Sequence, residues 1–180
     1  MDDKYIDIYT FSDRLRRFIW NVARVVLFRP FALPLFHSYR NWILRLWGAK
    51  IGRGSIVHAS SVVWAPWNLE LGERSCLGPH TIIYNPGKIR LGRKAVVSQY
   101  AYLCTATHDY TSPSHILYWR DITIDDYAWI AARAFVGPGV HVREWSIVGA
   151  CAVLCKDTEA WGIYAGNPAR LVKKRTLKHE

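Results

Sequence analysis

Between Ile51 and Leu154, aliphatic residues occur in sets whose members are six positions apart. They form three sets of three, whose starts lie twenty residues apart, and then a run of six. All fifteen positions hold Ile, Leu or Val: 51, 57, 63, 71, 77, 83, 91, 97, 103, 124, 130, 136, 142, 148 and 154. Glycine often follows the aliphatic residue, and a small residue recurs four places after it. This period predicts an all-β solenoid, in which three short strands form each turn and the aliphatic side chains stack inside it.

Residues 1–50 follow a helical period instead. Apolar residues from Phe11 to Val26 are spaced by three and four, arginines occupy much of the remaining surface, and Ser12 is predicted as the N-cap. A second amphipathic helix is predicted over 39–47. The apolar stripe has two interpretations, which are attachment to an anionic membrane surface or packing on the protein and its neighbouring subunit.

The longest interruption of the six-residue step lies between Leu103 and Ile124, which are twenty-one residues apart. Residues 109–121 are therefore predicted to loop out of the coil, and long loops in compact domains are usually functional. The predicted organisation has three parts: a helical segment over 1–50, the coil over 51–158 with this loop, and a basic C-terminal tail over 159–180.

The chain of 180 residues has 24 Lys and Arg against 14 Asp and Glu, a formal net charge of +10. The charge lies mainly at the two ends without a recognition motif, so we expect no nucleic-acid partner. The acidic start Met1-Asp2-Asp3-Lys4 does not resemble a signal peptide, and arginines and prolines interrupt the most apolar stretch. We expect a cytoplasmic protein, either free or peripheral on the inner face of the membrane.

The four cysteines, Cys76, Cys104, Cys151 and Cys155, form no CxxC pair. We expect buried, reduced thiols, because free Cys is among the most buried residue types. No cluster of His and Cys has the spacing of a zinc site, so we expect no metal.

Motifs around the break carry a resemblance to a known family. The repeats, the segment Thr105-Ala106-Thr107-His108-Asp109-Tyr110 and the segment Gly166-Asn167-Pro168-Ala169-Arg170 resemble the hexapeptide-repeat acyltransferases, whose fold is a left-handed parallel β-helix. More narrowly, the chain resembles the colanic acid biosynthesis acetyltransferase branch at residues 27–30, 46–52, 66–72, 97–105, 108–110 and 134–140. The resemblance covers nearly the whole chain.

The resemblance implies an acetyl-CoA-dependent O-acetyltransferase that acts on a saccharide hydroxyl in exopolysaccharide or surface-glycan biosynthesis. It also implies a homotrimer with each active site between two β-helices, and an acceptor that is either free or carried on a lipid. The alternative is a non-enzymatic trimeric scaffold that presents a basic surface to a membrane or a protein. Zinc chemistry like that of γ-type carbonic anhydrases is disfavoured, because His108 and His115 are seven apart and no HxxxxH occurs.

The candidate catalytic residues are His108 and Asp109. The resemblance makes His108 the general base, and an imidazole readily accepts a proton near neutral pH. Asp109 is a weaker candidate, because neighbours on an extended chain point in opposite directions. Three roles are open for Asp109: it takes part directly in catalysis, it shapes the loop, or it contacts the acceptor. The group that orients His108 is either a backbone carbonyl or part of another subunit.

The resemblance places the pantetheine arm of acetyl-CoA in a groove of small residues and its phosphates near basic side chains. The expected donor-binding residues are Trp129, Ala131, Ala132, Gly149, Ala150, Lys156, Arg170 and Lys173. The role of Arg133, which replaces a small residue of the common pattern, stays open.

Aromatic faces stack on sugar rings and amides bind hydroxyls. The candidate acceptor-binding residues are Tyr84, Asn85, Gln99, Tyr110 and Trp119. The alternative for these side chains is ordinary packing between subunits.

Overall fold

The computed structural model describes residues 9–177 and contains the predicted all-β solenoid. It is a left-handed parallel β-helix with two N-terminal helices and a hairpin that projects from one corner. The strands of the first part are β1 (Lys50–Ile51), β2 (Ile56–Val57), β3 (Val62–Val63), β4 (Leu69–Leu71), β5 (Cys76–Leu77), β6 (Ile82–Tyr84), β7 (Ile89–Leu91), β8 (Val96–Val97) and β9 (Tyr102–Cys104). Those that follow are β10 (Ala106–His108), β11 (Leu117–Trp119), β12 (Ile122–Ile124), β13 (Trp129–Ile130), β14 (Phe135–Val136), β15 (His141–Val142), β16 (Ile147–Val148), β17 (Val153–Leu154), β18 (Gly162–Ala165) and β19 (Arg170–Lys174).

Three sheets form the sides of the coil. Sheet A has the order β1-β4-β7-β12-β15, and sheet C has the order β17-β14-β9-β6-β3. Sheet B has the order β19-β18-β16-β13-β8-β5-β2, and its strands are parallel except for β19. We call the turns from A to B, from B to C and from C to A the first, second and third corners.

The fifteen aliphatic positions are all buried and form three stacks along the coil axis. In sheet A, Ile51 is paired with Leu71, Leu71 with Leu91, Leu91 with Ile124, and Ile124 with Val142. The pair Leu91–Ile124 keeps this register although the projecting hairpin lies between the two residues. The structure therefore confirms the predicted core position by position.

Most of the small residues four places later are also buried. The buried positions are Ser55, Ser61, Ser75, Thr81, Ala95, Ala101, Ala128, Ala134, Ser146 and Ala152. Thr107 is the exception, because the chain leaves the coil before this position is reached.

The residues at the first corner stack on one another from rung to rung. Tyr127, Trp145 and Trp161 have positive φ angles of 59, 58 and 63°, which turn their side chains outward. The ring centroids of Tyr127 and Trp145 are 4.2 Å apart, and those of Trp145 and Trp161 are 4.9 Å apart. Aromatic contacts thus join the last three turns of the coil at this corner.

The N-terminal helices are α1 (Phe11–Ala23), which continues as a π-helical segment (Arg24–Phe28), and α2 (His37–Leu46). Short 3-10 turns cover Pro34–Phe36 and Pro66–Asn68. The prediction of Ser12 as N-cap is wrong. Thr10 is the N-cap and forms a capping box with Asp13, so the helix begins two residues earlier than predicted.

Side chains of the helices cover the open edge of the first rung. The strand N–H groups of this rung donate to the second rung, which leaves its carbonyls free to accept bonds from elsewhere. Trp20 Nε1 donates to the carbonyl of Val63 at 2.8 Å, and Arg40 Nε donates to that of Val57 at 3.0 Å. Arg45 Nη2 donates to a further carbonyl of this edge at 2.8 Å. The helices therefore satisfy backbone groups that would otherwise lose their partners on burial.

The C-terminal part that was predicted as a basic tail contains a hairpin up to residue 177. Strand β18 extends sheet B beside β16, and β19 returns antiparallel to it. The turn between them bonds to Val153, whose N–H donates to the carbonyl of Gly166 at 3.0 Å and whose carbonyl accepts from Ala169 N at 2.8 Å.

The expectation of four buried cysteines is wrong for Cys151 and Cys155, which are exposed at corners of the coil. Cys104 is buried, and burial raises the pKa of the half-buried Cys76 thiol. Among the described residues, no three His, Cys, Asp or Glu side chains lie close enough together to bind a metal ion. Within residues 9–177, every helix is too short or too polar to span a bilayer.

Candidate active site

A two-stranded hairpin carries the candidate base out from the third corner. Strands β10 and β11 pair with each other only, antiparallel, and His108 at the end of β10 lies opposite Leu117. The projecting hairpin thus begins at Ala106, three residues before the predicted start of the loop at residue 109. His108 is exposed at the end of a paired strand, where the backbone bonds of the hairpin fix its position.

A backbone carbonyl within the same hairpin orients the imidazole of His108. The Nδ1 atom of His108 lies 2.6 Å from the carbonyl oxygen of His115. A carbonyl can only accept a hydrogen bond, so Nδ1 carries the proton and the lone pair is on Nε2. His115 has a φ of 45°, in the left-handed region, at the turn where its carbonyl faces back toward His108. The imidazole is therefore held in the tautomer that a general base requires.

The carboxylate of Asp109 is engaged with the turn rather than with His108. Its Oδ1 accepts hydrogen bonds from Thr111 N at 2.9 Å and from Thr111 Oγ1 at 2.6 Å. These bonds hold the pKa of Asp109 below its usual range. Of the three roles considered for Asp109, these contacts favour the shaping of the loop, and they do not support direct catalysis.

Trp119 and His108 lie on the same face of the hairpin. Ala106 is the cross-strand partner of Trp119, and His108 is that of Leu117. Paired residues and residues two apart share a face of a β-ribbon, and these two pairs lie about 7 Å apart along the strands. Trp119 also packs against the backbone of Gly87, where an added Cβ would lie 2.9 Å from Trp119 Cδ1.

A cleft of about 150 Å³ opens between α1 and the third corner, and we call it the Trp64 cleft. It is lined by Tyr9, Asp13, Arg17, Trp64, Trp67, Asn68, Pro86 and Trp119. The guanidinium of Arg17 lies 4.5 Å from the ring centroids of both Tyr9 and Trp64. Tyr84 packs edge-on against Trp64 with centroids 5.5 Å apart. Two of the candidate acceptor residues, Tyr84 and Trp119, are thus gathered around this cleft.

The other three candidate acceptor residues do not join them. Asn85 is wholly buried, and its side chain bonds at both ends to the backbone of Ala65, which leaves its amide unavailable to a sugar in this structure. This corrects the prediction for Asn85, which has a structural role. Tyr110 is 87% exposed at the hairpin tip, and Gln99 lies at the second corner.

The four small donor residues form one patch at the second corner. Ala131 and Gly149 occupy equivalent positions on adjacent rungs, and so do Ala132 and Ala150, since Ala131 N bonds to Val148 O and Cys151 N to Ala132 O. Gln99 is equivalent to Ala132 on the rung before, because Arg133 N donates to its carbonyl at 3.1 Å. The patch is a shallow strip without large side chains, of a kind that lets an extended chain approach the backbone.

Trp129 borders this strip on the outer face of sheet B. Its side chain is 42% exposed, and its Nε1 donates to Ser98 Oγ at 2.8 Å. The guanidinium of Arg133 lies 5.6 Å from the Tyr100 ring centroid, and Tyr100 in turn stacks on His80 at 5.0 Å. Arg133 thus extends a stack of corner residues formed by Tyr100 and His80.

The basic candidates surround the C-terminal end of the coil. Lys156, Arg170 and Lys173 are exposed, and the turn bonded to Val153 brings Arg170 beside the last rung, which also carries Lys156. Lys156 follows β17 at the third corner, whereas Arg170 and Lys173 lie on β19 beside β18 of sheet B.

The structure separates the predicted residues into two clusters within one chain. His108, Trp119 and the Trp64 cleft lie at the third corner, whereas the small-residue strip lies at the second, bordered by Trp129 of sheet B. Sheet C lies between the two corners and spans up to about 20 Å for six residues. Within a single chain, the candidate base and the candidate donor groove therefore lie on different edges.

Three contributors were not found from the sequence. His115 acts through its carbonyl, for which no side-chain pattern exists. Trp64 and Arg17 meet only after α1 packs on the coil. Trp64 did carry a signal, because it occupies the position equivalent to Tyr84 one rung earlier.

The coil of hexapeptide repeats, with an exposed and oriented histidine on a corner hairpin, defines a hexapeptide-repeat acyltransferase. The chain is 32% identical over 157 residues to colanic acid biosynthesis acetyltransferase WcaF of Escherichia coli (strain K12), covering 87% of this chain and 86% of that protein. The chain belongs to this family of acetyltransferases. No protein-family model matches the chain.

Solved structures agree with the fold. A maltose O-acetyltransferase from Clostridium difficile 630 superposes with a TM-score of 0.80 at 24% identity, covering 94% of this chain and 92% of that one. A galactoside acetyltransferase in complex with coenzyme A superposes with a TM-score of 0.83 at 18% identity, covering 94% and 85%. At these identities the similarity is evidence for the architecture alone.

Proposed function

We propose that the protein transfers an acetyl group from acetyl-CoA to a hydroxyl of a saccharide used in exopolysaccharide or surface-glycan biosynthesis. The observation that carries the proposal is the bond between His108 Nδ1 and the carbonyl of His115. It leaves Nε2 as an accepting atom on an exposed hairpin, which is what deprotonation of a hydroxyl requires.

The transfer consumes one hydroxyl and one thioester. Nε2 of His108 takes the proton as the acceptor oxygen forms a bond to the thioester carbonyl carbon. The carbon–sulfur bond then breaks, and the thiol of CoA leaves with the proton returned by the imidazolium. Backbone N–H donors hold the oxyanion of the tetrahedral intermediate, whose stabilisation is usually a large part of such catalysis. Asp109 keeps the turn that carries the carbonyl of His115 in shape through Thr111.

The donor residues fit acetyl-CoA. The strip of Ala131, Ala132, Gly149 and Ala150 accommodates the pantetheine arm close to the backbone, and Trp129 borders its thioester end. The exposed positive charges of the C-terminal end, from Lys156, Arg170 and Lys173, face the phosphates. The co-substrate is bound without a metal.

The acceptor is assigned to the Trp64 cleft. Its aromatic walls suit the apolar faces of a pyranose, and the guanidinium of Arg17 offers donors to hydroxyl or acidic groups. Trp119 connects this cleft to His108, since both lie on one face of the hairpin. The names of WcaF, of maltose O-acetyltransferase and of galactoside acetyltransferase support a saccharide acceptor.

The separation of the two clusters supports a homotrimer with shared sites. Since the base and the donor groove lie on different corners, the third corner of one chain has to meet the second corner of its neighbour for transfer to occur. Each trimer then has three sites, and each site takes His108 from one chain and the small-residue strip from the next.

The first test measures thiol release from acetyl-CoA with a panel of mono- and disaccharides for the wild type and His108→Ala. Release that is stimulated by an acceptor and falls by about 10²-fold or more in the variant supports the assigned base. Equal release by both proteins would contradict it. Acetyl-CoA binding by calorimetry serves as the control, because His108→Ala leaves the donor residues in place.

The second test mixes two inactive variants, His108→Ala and Ala132→Trp, whose lesions lie on different corners. In a shared site, some sites of the mixed trimers combine an intact hairpin with an intact strip, so activity returns on mixing. Mixtures that are shown to exchange subunits and yet stay inactive would rule out the shared arrangement.

A further inference from the structure

Helix α1 presents a second apolar face that the coil does not cover. In α1 and the π-helical segment that follows it, Trp20, Ala23 and Phe28 are buried against the protein. The other apolar residues of this segment are between 42 and 81% exposed: Phe11, Leu15, Phe18, Ile19, Val22, Val25, Val26 and Leu27. Eight large apolar side chains on one surface segment form a patch that monomeric soluble proteins rarely leave without a partner.

The uncovered face points directly away from the coil. At about 100° per residue, Phe11, Phe18 and Val22 lie within about 20° of the direction opposite Trp20, and Leu15 lies within about 40° of it. The helix is therefore fixed to the coil along one side, where Trp20 Nε1 donates to the carbonyl of Val63. The outer side is a convex ridge rather than a groove.

The ridge belongs to a segment of net positive charge. Residues 1–50 contain nine Lys and Arg and four Asp, which gives 9 − 4 = +5. Arg17, Arg40 and Arg45 contact the coil rather than the ridge. Among the described residues of this segment, the acid Asp13 is bound to Thr10 in the capping box. Arg14 and Arg29 are exposed beside the apolar side chains, at the start and the end of the segment.

This combination favours a lipid surface over a second copy of the chain. Two copies meeting through the ridge would bring two segments of net positive charge together. An anionic bilayer accepts the apolar ridge among its acyl chains and places its phosphates beside the flanking arginines. A helix held parallel to a surface by the protein beneath it needs no refolding to bind in this way.

We propose that the outer face of α1 and the following π-helical segment dock the protein on an anionic lipid bilayer. Binding combines insertion of the apolar ridge with attraction between the arginines and acidic headgroups. The coil then stands on the membrane, with its N-terminal rung nearest the lipid. The proposal does not depend on the acceptor or on the activity.

The test is flotation of the full chain with vesicles of phosphatidylcholine alone or with phosphatidylglycerol. The variant Phe18→Ser/Val22→Ser changes two ridge residues that are 66 and 49% exposed. The control Val172→Ser/Leu177→Ser changes two apolar residues of the basic C-terminal end that are 63 and 50% exposed. We expect the wild type and the control to float with phosphatidylglycerol vesicles, and the ridge variant to bind at least about tenfold more weakly.

Three outcomes would overturn the proposal. The wild type could fail to float, the two double variants could lose binding equally, or the ridge variant could form a smaller assembly in sedimentation without vesicles. The last result would assign the ridge to contacts between copies of the chain. Thiol release with a water-soluble acceptor is measured in parallel, so loss of membrane binding is distinguished from loss of the proposed activity.

Discussion

The imidazole of His108 is bonded to the main chain of a residue seven positions later. Its Nδ1 lies 2.6 Å from the carbonyl oxygen of His115, whose left-handed backbone conformation turns that carbonyl toward it. Residues at the two ends of a hairpin turn thus form one unit, in which the first is the proposed base and the second supplies only a backbone atom. This division of roles has a direct experimental consequence.

The side chain of His115 is expected to be dispensable. Asn tolerates the left-handed region and keeps the carbonyl, so His115→Asn should retain kcat within about threefold. His108→Asn removes the accepting nitrogen and should lower kcat by about 10²- to 10⁴-fold. Steady-state rates of thiol release compare the two variants. An equal loss in both would mean that the imidazole of His115, rather than its carbonyl, takes part.

Gly87 is expected to set the position of Trp119. A Cβ at Gly87 would lie 2.9 Å from Trp119 Cδ1, so Gly87→Ala must displace the indole that joins the hairpin to the Trp64 cleft. We expect KM for the acceptor to rise several-fold while KM for acetyl-CoA stays unchanged. Gly137→Ala is the matched control, because its added Cβ meets nothing nearer than 3.5 Å. A rise in both KM values would point to a general loosening of the coil instead.

The core stacks are expected to dominate stability. Ile130 is wholly buried between the rungs of sheet B, and truncation to Ala removes contacts with the rungs on both sides. The free energy of unfolding should fall by about 2–5 kcal/mol. Ile56→Ala, on the outer face of the same sheet and 37% exposed, should cost less than about 1 kcal/mol. Denaturant unfolding of the two variants measures the difference, and equal costs would contradict an inward stack.

Two histidines beside Arg40 are expected to weaken the fold in acid. Burial, and then the charge of Arg40, lowers the pKa of both His37 and His58 in the folded protein. Between the ordinary histidine pKa of about 6.5 and the lowered values, the unfolded chain binds more protons than the folded one, so stability falls as pH falls. Melting temperature should therefore drop below about pH 6.5, and His58→Gln should lessen that drop. Above pH 7 the melting temperatures of the wild type and His58→Gln should change with pH in the same way. If His58→Gln loses as much melting temperature in acid as the wild type does, His58 is not a source of the pH dependence.

The fold could be read from the sequence because one physical requirement repeats. Every aliphatic residue has to point inward at the same place on each rung, so the spacing of fifteen residues determines three sheets and their register. The hairpin was visible as an interruption of that spacing. The N-cap could not be predicted, because the hydroxyls of Ser12 and Thr10 can both cap a helix. Only the observed start of the helix at Phe11 identifies Thr10 as the cap.

The candidate site was only partly predictable, for a different reason. His108 stands at the interruption, where a side chain with its own chemistry marks the place. The amide of Asn85 can bind a sugar hydroxyl or a backbone group equally well. Only the structure shows that it is buried and bonded to the backbone of Ala65. The partners that come from the main chain or from α1, such as the carbonyl of His115 and the guanidinium of Arg17, leave no pattern in the local sequence.

The pairing of Leu91 with Ile124 across the hairpin has an evolutionary meaning. Since the stack closes in register beneath the excursion, the coil does not constrain the length or the composition of what is inserted there. Lengthening a loop at such a corner carries only a small entropic cost. Under the proposed function, changes in the hairpin that keep His108 and its bond to the carbonyl of His115 would therefore alter which molecule receives the acyl group and leave the coil beneath it intact. The proposed acceptor specificity can thus change while the core of the coil stays the same.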